Sequence, residues 1–394
     1  MTRKIPRSRR LLVASAAVAA LAASELLAGS TAIAGPNHTT IVSDVPSAAT
    51  PDIQDNSVAS IYDAGSKVIA GGNFTRVQNR DSDVDITRNS VLAFDKATGV
   101  VDEAFAPTVD GDVRSVIAGP TPGTVYIAGS FNTVNGVTRR KVALLNVSDG
   151  SLVTAFKPPA FNGLVQDVIL TGGQLLVGGV FTNAGAVNPR NGLASLNPAT
   201  GAINTYLTHT LTGHHNYNGT GANAPVGVEH MAASPDGTKL AVIGNFKNVN
   251  GVLQDQAVLI NLNAADTTVA DWNTTRYQPR CASNAFDSYV RDVAFAPDSS
   301  YFVIVTTGAY NVGTLCDTAA RWETNATGQT QQPTWINYTG GDTLLSVAVS
   351  EQAIYVGGHI RWLNNSLARD RAGAGAVPVA ADSHRAAESH SVPA

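Results

Sequence analysis

Charge is scarce in this chain. Asp, Glu, Lys and Arg make up 14% of its 394 residues, against about a quarter in an ordinary soluble domain. With 36 Gly as well, the composition suits sheets and turns rather than helices. A basic surplus is also missing. The formal net charge is −4, and it becomes −8 without residues 1–34, which excludes the basic footprint of a nucleic-acid binder. No Gly-x-Ser-x-Gly elbow, phosphate loop or Cys-x-x-Cys pair occurs, so no catalytic residue and no cofactor is assigned. The one acidic run, Asp81-Ser82-Asp83-Val84-Asp85, fails as a calcium loop. Ile86 stands at the position that requires Gly, and Leu92 at the one that requires Glu. His209, His214, His215 and His230 gather near one Gly- and Asn-rich connection without a metal spacing, so no metal site is expected.

Long apolar runs are absent too. The longest, Leu11 to Ala23, follows a basic stretch from Arg3 to Arg10 and is interrupted by Glu25. It is too short for a membrane span and reads as a signal peptide over 1–34, ending in Ala32-Ile33-Ala34. Ser8-Arg9-Arg10-Leu11-Leu12 resembles a twin-arginine signal. The expectation is export by the general or the twin-arginine route to a secreted, extracellular location, with no membrane span afterwards.

What the chain has is repetition. Ile69-Ala70-Gly71-Gly72-Asn73-Phe74 returns as Ile127-Ala128-Gly129-Ser130-Phe131, Val177-Gly178-Gly179-Val180-Phe181 and Val242-Ile243-Gly244-Asn245-Phe246. Tyr355-Val356-Gly357-Gly358-His359 is a modified copy, and Val303 to Tyr310 a degenerate one. An alternating strand precedes each, such as Val113-Arg114-Ser115-Val116 and Val165-Gln166-Asp167-Val168. A third strand follows, ending at Asp95, Asn146, Asn197, Asn261 or Glu323, and a fourth closes on Phe105, Phe156, Tyr206, Trp272 or Trp335. Units of four strands, A to D, start at Val58, Val113, Val165, Val228, Val290 and Leu345. Asn135-Gly136 and Asn250-Gly251 supply tight turns between B and C. The pattern predicts an all-β, β-propeller fold of four-stranded antiparallel blades over 58–366. It has five complete blades and a partial sixth, with an N-terminal segment at 35–57 and a disordered tail at 367–394. Ring closure is open at this level; Thr39-Thr40-Ile41-Val42-Ser43 is the candidate closing strand.

In such a meander the D–A and B–C connections share one end of the blades. All long excursions fall there: 79–89, 208–225, 275–288 and 311–317. Loops on a rigid scaffold carry function, so a binding surface is expected on that face. Cys281 lies in a D–A connection and Cys316 in the following B–C connection. In an exported chain they are expected to form a disulfide, worth about 3–4 kcal/mol on the chain-entropy model.

The unusual residues cluster in the last two units. Arg321-Trp322 replace the apolar pairs of earlier third strands, His359 replaces the repeat Phe, Arg361-Trp362 follow it, and Asp287, Arg291 and Asp292 lie in the same units. Trp stacks on sugar faces and Arg forks onto anionic groups, so these eight are the candidate binding site. The competing reading is that they wedge blades together.

The pattern Gly-x-Phe-x-x-Val-Asn-Gly at 129–136 and 244–251, with its Asp/Asn-x-x-Thr-Gly turn, resembles the delta-sixty-type repeat of bacterial secreted β-propellers over roughly 48–378. Ala285-Phe286-Asp287-Ser288-Tyr289, the segment Cys316 to Glu323, and Tyr355 to His359 are similar to one subgroup. The family is largely of unknown function, has no established catalytic residues, and is found at the cell exterior. After Pro378 the pattern calls for further strands, and residues 379–394 do not supply them, as in a shortened chain. The expectation is a monomeric, non-enzymatic binding or scaffold propeller with an extracellular carbohydrate or cell-wall component as partner. An extracellular hydrolase or lyase working on the long-loop face is the alternative.

Overall fold

The computed structural model describes residues 43, 47–215, 225–283, 286, 288–340, 343–363 and 366–378, with backbone alone for 361, 362 and 366–378. All regular elements among them are strands, and no helix there is long and apolar enough to cross a membrane. Residues 1–42, the proposed signal segment and most of the closing-strand candidate included, lie outside the described residues.

Six antiparallel sheets follow one another as the repeat predicts. The first two pair Val58–Asp63, Lys67–Gly72 and Val91–Asp95, then Val113–Ala118, Thr124–Gly129 and Val142–Asn146. Their fourth strands touch as single bridges at Val101 and Leu152. Three complete four-stranded blades come next. They are Val165–Thr171 to Ile203–Asn204, Gly227–Ala233 to Thr267–Val269, and Val290–Phe295 to Trp335–Tyr338. The sixth sheet holds Leu344–Val349, Ala353–Leu363 and Ser366–Pro378. The repeat region therefore runs to Pro378 rather than stopping at 366 before a disordered tail. The Ala- and Gly-rich run has no alternation to betray a strand, yet its backbone pairs along the whole of its neighbour. Residues 379–394 lie outside the described residues.

Strand A of each blade packs on strand A of the next, from the first blade to the sixth. Apolar side chains fill the wedges between blades, and the aromatics that close the fourth strands of the first four blades are buried there: Phe105 and Phe156 at 0%, Tyr206 at 8%, Trp272 at 1% exposure; Trp335 of the fifth is partly buried. At the two ends of the series the inner strands leave apolar groups in solvent. Ile61 is 68% exposed on the first and Leu345 56% exposed on the last.

The repeated glycine has a steric cause. A Cβ at Gly129 would lie 1.9 Å from the Asp112 carbonyl oxygen, and one at Gly179 2.2 Å from that of Leu164. Gly72, Gly244 and Gly358 meet the same carbonyl of their own blades. In these five blades a residue without a side chain lets strand B run this close to the entry of strand A; in the fifth blade Thr306 stands in the glycine's place.

Gly179→Ala is expected to destabilise the fold by about 3 kcal/mol, the upper part of the overpacking range. Gly173→Ala, at a turn with φ +73 and nothing within 4 Å, should lose about 1 kcal/mol from its left-handed backbone alone. Urea midpoints of the two variants compare them; equal losses would contradict the close-approach argument.

Candidate functional site

Every strand A carries the same irregularity. Its register with strand B slips between Val58 and Ser60, Val113 and Ser115, Val165 and Asp167, Val228 and His230, Val290 and Asp292, and Leu344 and Ser346. A bulge opposes two residues to one and turns the strand more sharply. Each inner strand thus presents an extra residue (Ala59, Arg114, Gln166, Glu229, Arg291 or Leu345) and, next to it, a polar one (Ser60, Ser115, Asp167, His230, Asp292 or Ser346).

The polar residues tie neighbouring blades. Ser60 Oγ accepts the Val116 N–H at 3.0 Å, and Ser115 Oγ the Val168 N–H at 3.4 Å. Asp167 accepts the Met231 N–H at 3.0 Å, and Asp292 the Val347 N–H at 2.8 Å. Ser115 also donates its hydroxyl to Asp167 at 3.0 Å. At the fourth blade His230 takes this place, and its Nδ1 sits 3.1 Å from Asp292 Oδ1 and 3.4 Å from Asp167 Oδ2. The ring is 44% exposed although Nδ1 is buried, so its other edge meets solvent. Burial opposes charge on this ring, but Asp292, Asp167 and Glu229 outweigh it and raise the pKa to about 9. Burial pushes the Asp292 carboxyl up, against the pull of the His230 charge and of the Val347 and Val293 N–H groups.

Just outside this cluster, on the face of the D–A and B–C connections, opens a pocket of about 260 Å³. Its polar lining is Gln166, Glu229 and Arg291 from the bulges, Asn245 from the end of a strand B, and Ser288 from the connection into the fifth blade. Leu164, Val180, Val228 and Phe286 add apolar wall. The Arg291 guanidinium stands 5.3 Å from the Phe286 ring centre and 3.7 Å from Glu229. Behind Asn245, His215 Nδ1 and Asp255 Oδ1 form a buried hydrogen bond at 2.7 Å. Gln256 links that pair to Tyr289 by accepting the Tyr289 N–H at 2.7 Å.

The wall carrying Phe286 and Ser288 is strapped down. The predicted disulfide joins Cys281 to Cys316 with Cα atoms 5.7 Å apart. Ala282 N–H and Ser283 N–H donate to Ala309 and Gly308 carbonyls at 3.0 and 2.9 Å.

Of the residues singled out in the sequence, Arg291 and Asp292 fall at this mouth. Asp287 lies outside the described residues, between two pocket residues in sequence. Trp322 is 0% exposed, donates its Nε1–H to Tyr277 Oη at 3.0 Å and packs edge-on to Trp272. It wedges blades and cannot meet a ligand. Arg321 stacks on Tyr301 at 3.8 Å and pairs with Glu323 at 2.8 Å, two strands out from the axis. His359 is exposed on the second strand of the sixth blade, and Arg361 and Trp362 follow on the same strand. The eight residues therefore do not form one site. Gln166, Asp167, Glu229 and His230 were missed by sequence reasoning. Their signal was one aligned column, Ser, Ser, Asp, His, Asp, Ser, inside otherwise apolar strands. His230 belongs to this column and not to the loop histidines. In the acidic run, Asp85 is held by Arg76 and Gln78 at 3.1 and 2.8 Å. Among the described residues no group of three or more His, Cys, Asp or Glu is placed to hold a metal.

Folded His230 keeps its proton to about pH 9, while the unfolded ring releases it near 6.5. Its stabilisation is complete below pH 6.5, declines as pH rises, and is gone above 9. Thermal unfolding of the wild type should weaken across that window, and His230→Gln should flatten the slope. Parallel pH profiles for the two proteins would refute the charged pairing.

A family described as a β-propeller domain of unknown function (DUF5122) matches residues 123–156, from the second strand of blade two to its closing aromatic. The β-propeller domain of Cps50 (Swd1) from Myceliophteria thermophila is a similar solved structure, at 12% identity and TM-score 0.45, covering 76% of this chain and 79% of that one. No curated protein matches. The chain is a β-propeller, and a propeller domain of unknown function is what it resembles in sequence.

Proposed function

We propose that the chain is a secreted, non-enzymatic propeller at the cell exterior that binds a glycan in the mouth pocket. One observation carries the reading. A pocket of about 260 Å³ combines donors and acceptors of both kinds, from Gln166, Glu229, Asn245, Ser288 and Arg291, with the ring of Phe286. Sugars offer hydroxyls that donate and accept, and C–H faces that stack on aromatic rings. The strands and the strapped connection hold these groups before any ligand arrives, which lowers the entropy lost on binding. The segment read as a signal peptide supports export.

On a glycan array followed by calorimetry, Gln166→Ala and Phe286→Ala should each weaken binding about tenfold, the loss of roughly one hydrogen bond or stacking contact. The unfolding temperature of Gln166→Ala should stay unchanged. Trp322→Ala should instead lose about 3–5 kcal/mol of stability. Glycan affinity indifferent to both pocket substitutions would remove the site.

A second reading has its own support. His230 carries a proton next to the mouth between two carboxylates, as a general acid would. On that reading the wild type cleaves the glycan it binds and His230→Gln does not; bound glycan recovered intact from the wild type would dismiss it.

A further inference from the structure

We infer that Glu229 sets the class of glycan accepted at this mouth, and that the class is an amino sugar whose free ammonium group meets the Glu229 carboxylate. The inference rests on the glycan-binding reading and deepens it.

Among the described residues five charged groups gather here: the carboxylates of Asp167, Glu229 and Asp292, and the cations His230 and Arg291. Arg114, on the neighbouring blade, is neutralised by Asp112 at 2.9 Å. Both oxygens of Asp167 are engaged, one by Ser115 and Val168, the other by Met231 and His230. Both oxygens of Asp292 are engaged as well, one by Val293 and His230, the other by Val347. Glu229 differs. It lines the pocket with a side chain 36% exposed, and the Arg291 nitrogen at 3.7 Å is beyond hydrogen-bond range. Arg291 donates to the Val290 carbonyl at 3.2 Å and lies against Phe286.

Among the described residues the mouth thus holds one more carboxylate than cation, and Glu229, whose ion pair with Arg291 is too long for a hydrogen bond, turns its carboxylate to the pocket. An anionic sugar brings a like charge to a partly desolvated site. A neutral sugar gives Glu229 a hydroxyl. An ammonium gives it a charge-assisted hydrogen bond about twice as strong and balances the charge of the site.

The test is calorimetry with three oligosaccharides of equal length: glucosamine, N-acetylglucosamine and galacturonate. The wild type is expected to bind the glucosamine oligomer about tenfold more tightly than the acetylated one, and the galacturonate oligomer least. Glu229→Gln, of the same shape, should erase the preference by weakening the glucosamine oligomer about tenfold relative to the acetylated one. Raising the pH until the ligand's ammonium is neutral should erase it in the wild type without any substitution. A preference that survives Glu229→Gln, or acetylated or acidic oligomers bound as tightly as the amino one, would overturn this inference and leave glycan binding standing. No binding of any of the three would overturn both.

Discussion

The bulge at the start of each inner strand is the constraint from which the rest of the architecture follows. Blades converge towards the axis, so their innermost strands run closest together and most twisted. A regular strand would point alternate side chains up and down its own sheet. Slipping one residue turns two neighbouring side chains out together and sharpens the twist. One of them then reaches the main chain of the next blade. The Ser60, Ser115, Asp167 and Asp292 contacts are side chain to backbone, so they set the register of blade on blade whatever side chains fill the wedge. The missing Cβ at Gly72, Gly129, Gly179, Gly244 and Gly358 is the other half of the same device, because it lets strand B follow the bulged strand without a gap.

Outside that ring the blades are less alike. The fifth departs most, and its departures compensate for one another. Thr306 stands where other blades have the close-approach glycine, and its hydroxyl donates to the Leu315 carbonyl at 2.5 Å. The small outer hairpin after strand B, present in blades two and four, gives way to the connection carrying Cys316. The disulfide to Cys281, with Tyr289 packed on it, holds that region. Trp322 stands where earlier third strands carry Leu145 or Ile260, and with Trp272 it makes a heavier wedge.

Most of this was legible from periodicity. Alternation located the strands, turn residues ordered them, and the loop lengths marked the face on which the pocket opens. The cysteines paired because the meander brings their two connections to one end. The site was read less well, for a physical reason. Trp and Arg attract attention by chemistry, but chemistry does not reveal depth: Trp322 lies inside a wedge and Arg321 two strands from the axis. The polar lining of the pocket is plain, Gln166, Glu229 and Asn245, and it is the bulge that brings the first two to it. A one-residue slip leaves no composition signal. The final strand escaped notice because Ala and Gly pair through their backbone as well as any residue while showing no alternation.

The close approach of strand B to the entry of strand A is made by main chain against main chain. The spacing of these two strands within a blade is therefore set by the backbone and not by the side chains that decorate the inner strand. Serine, aspartate and histidine occupy one position in successive blades without changing the path of the strand. The axis behaves as a fixed socket with exchangeable pins: its polarity can be rewritten one blade at a time, and the scaffold bears the change without being rebuilt.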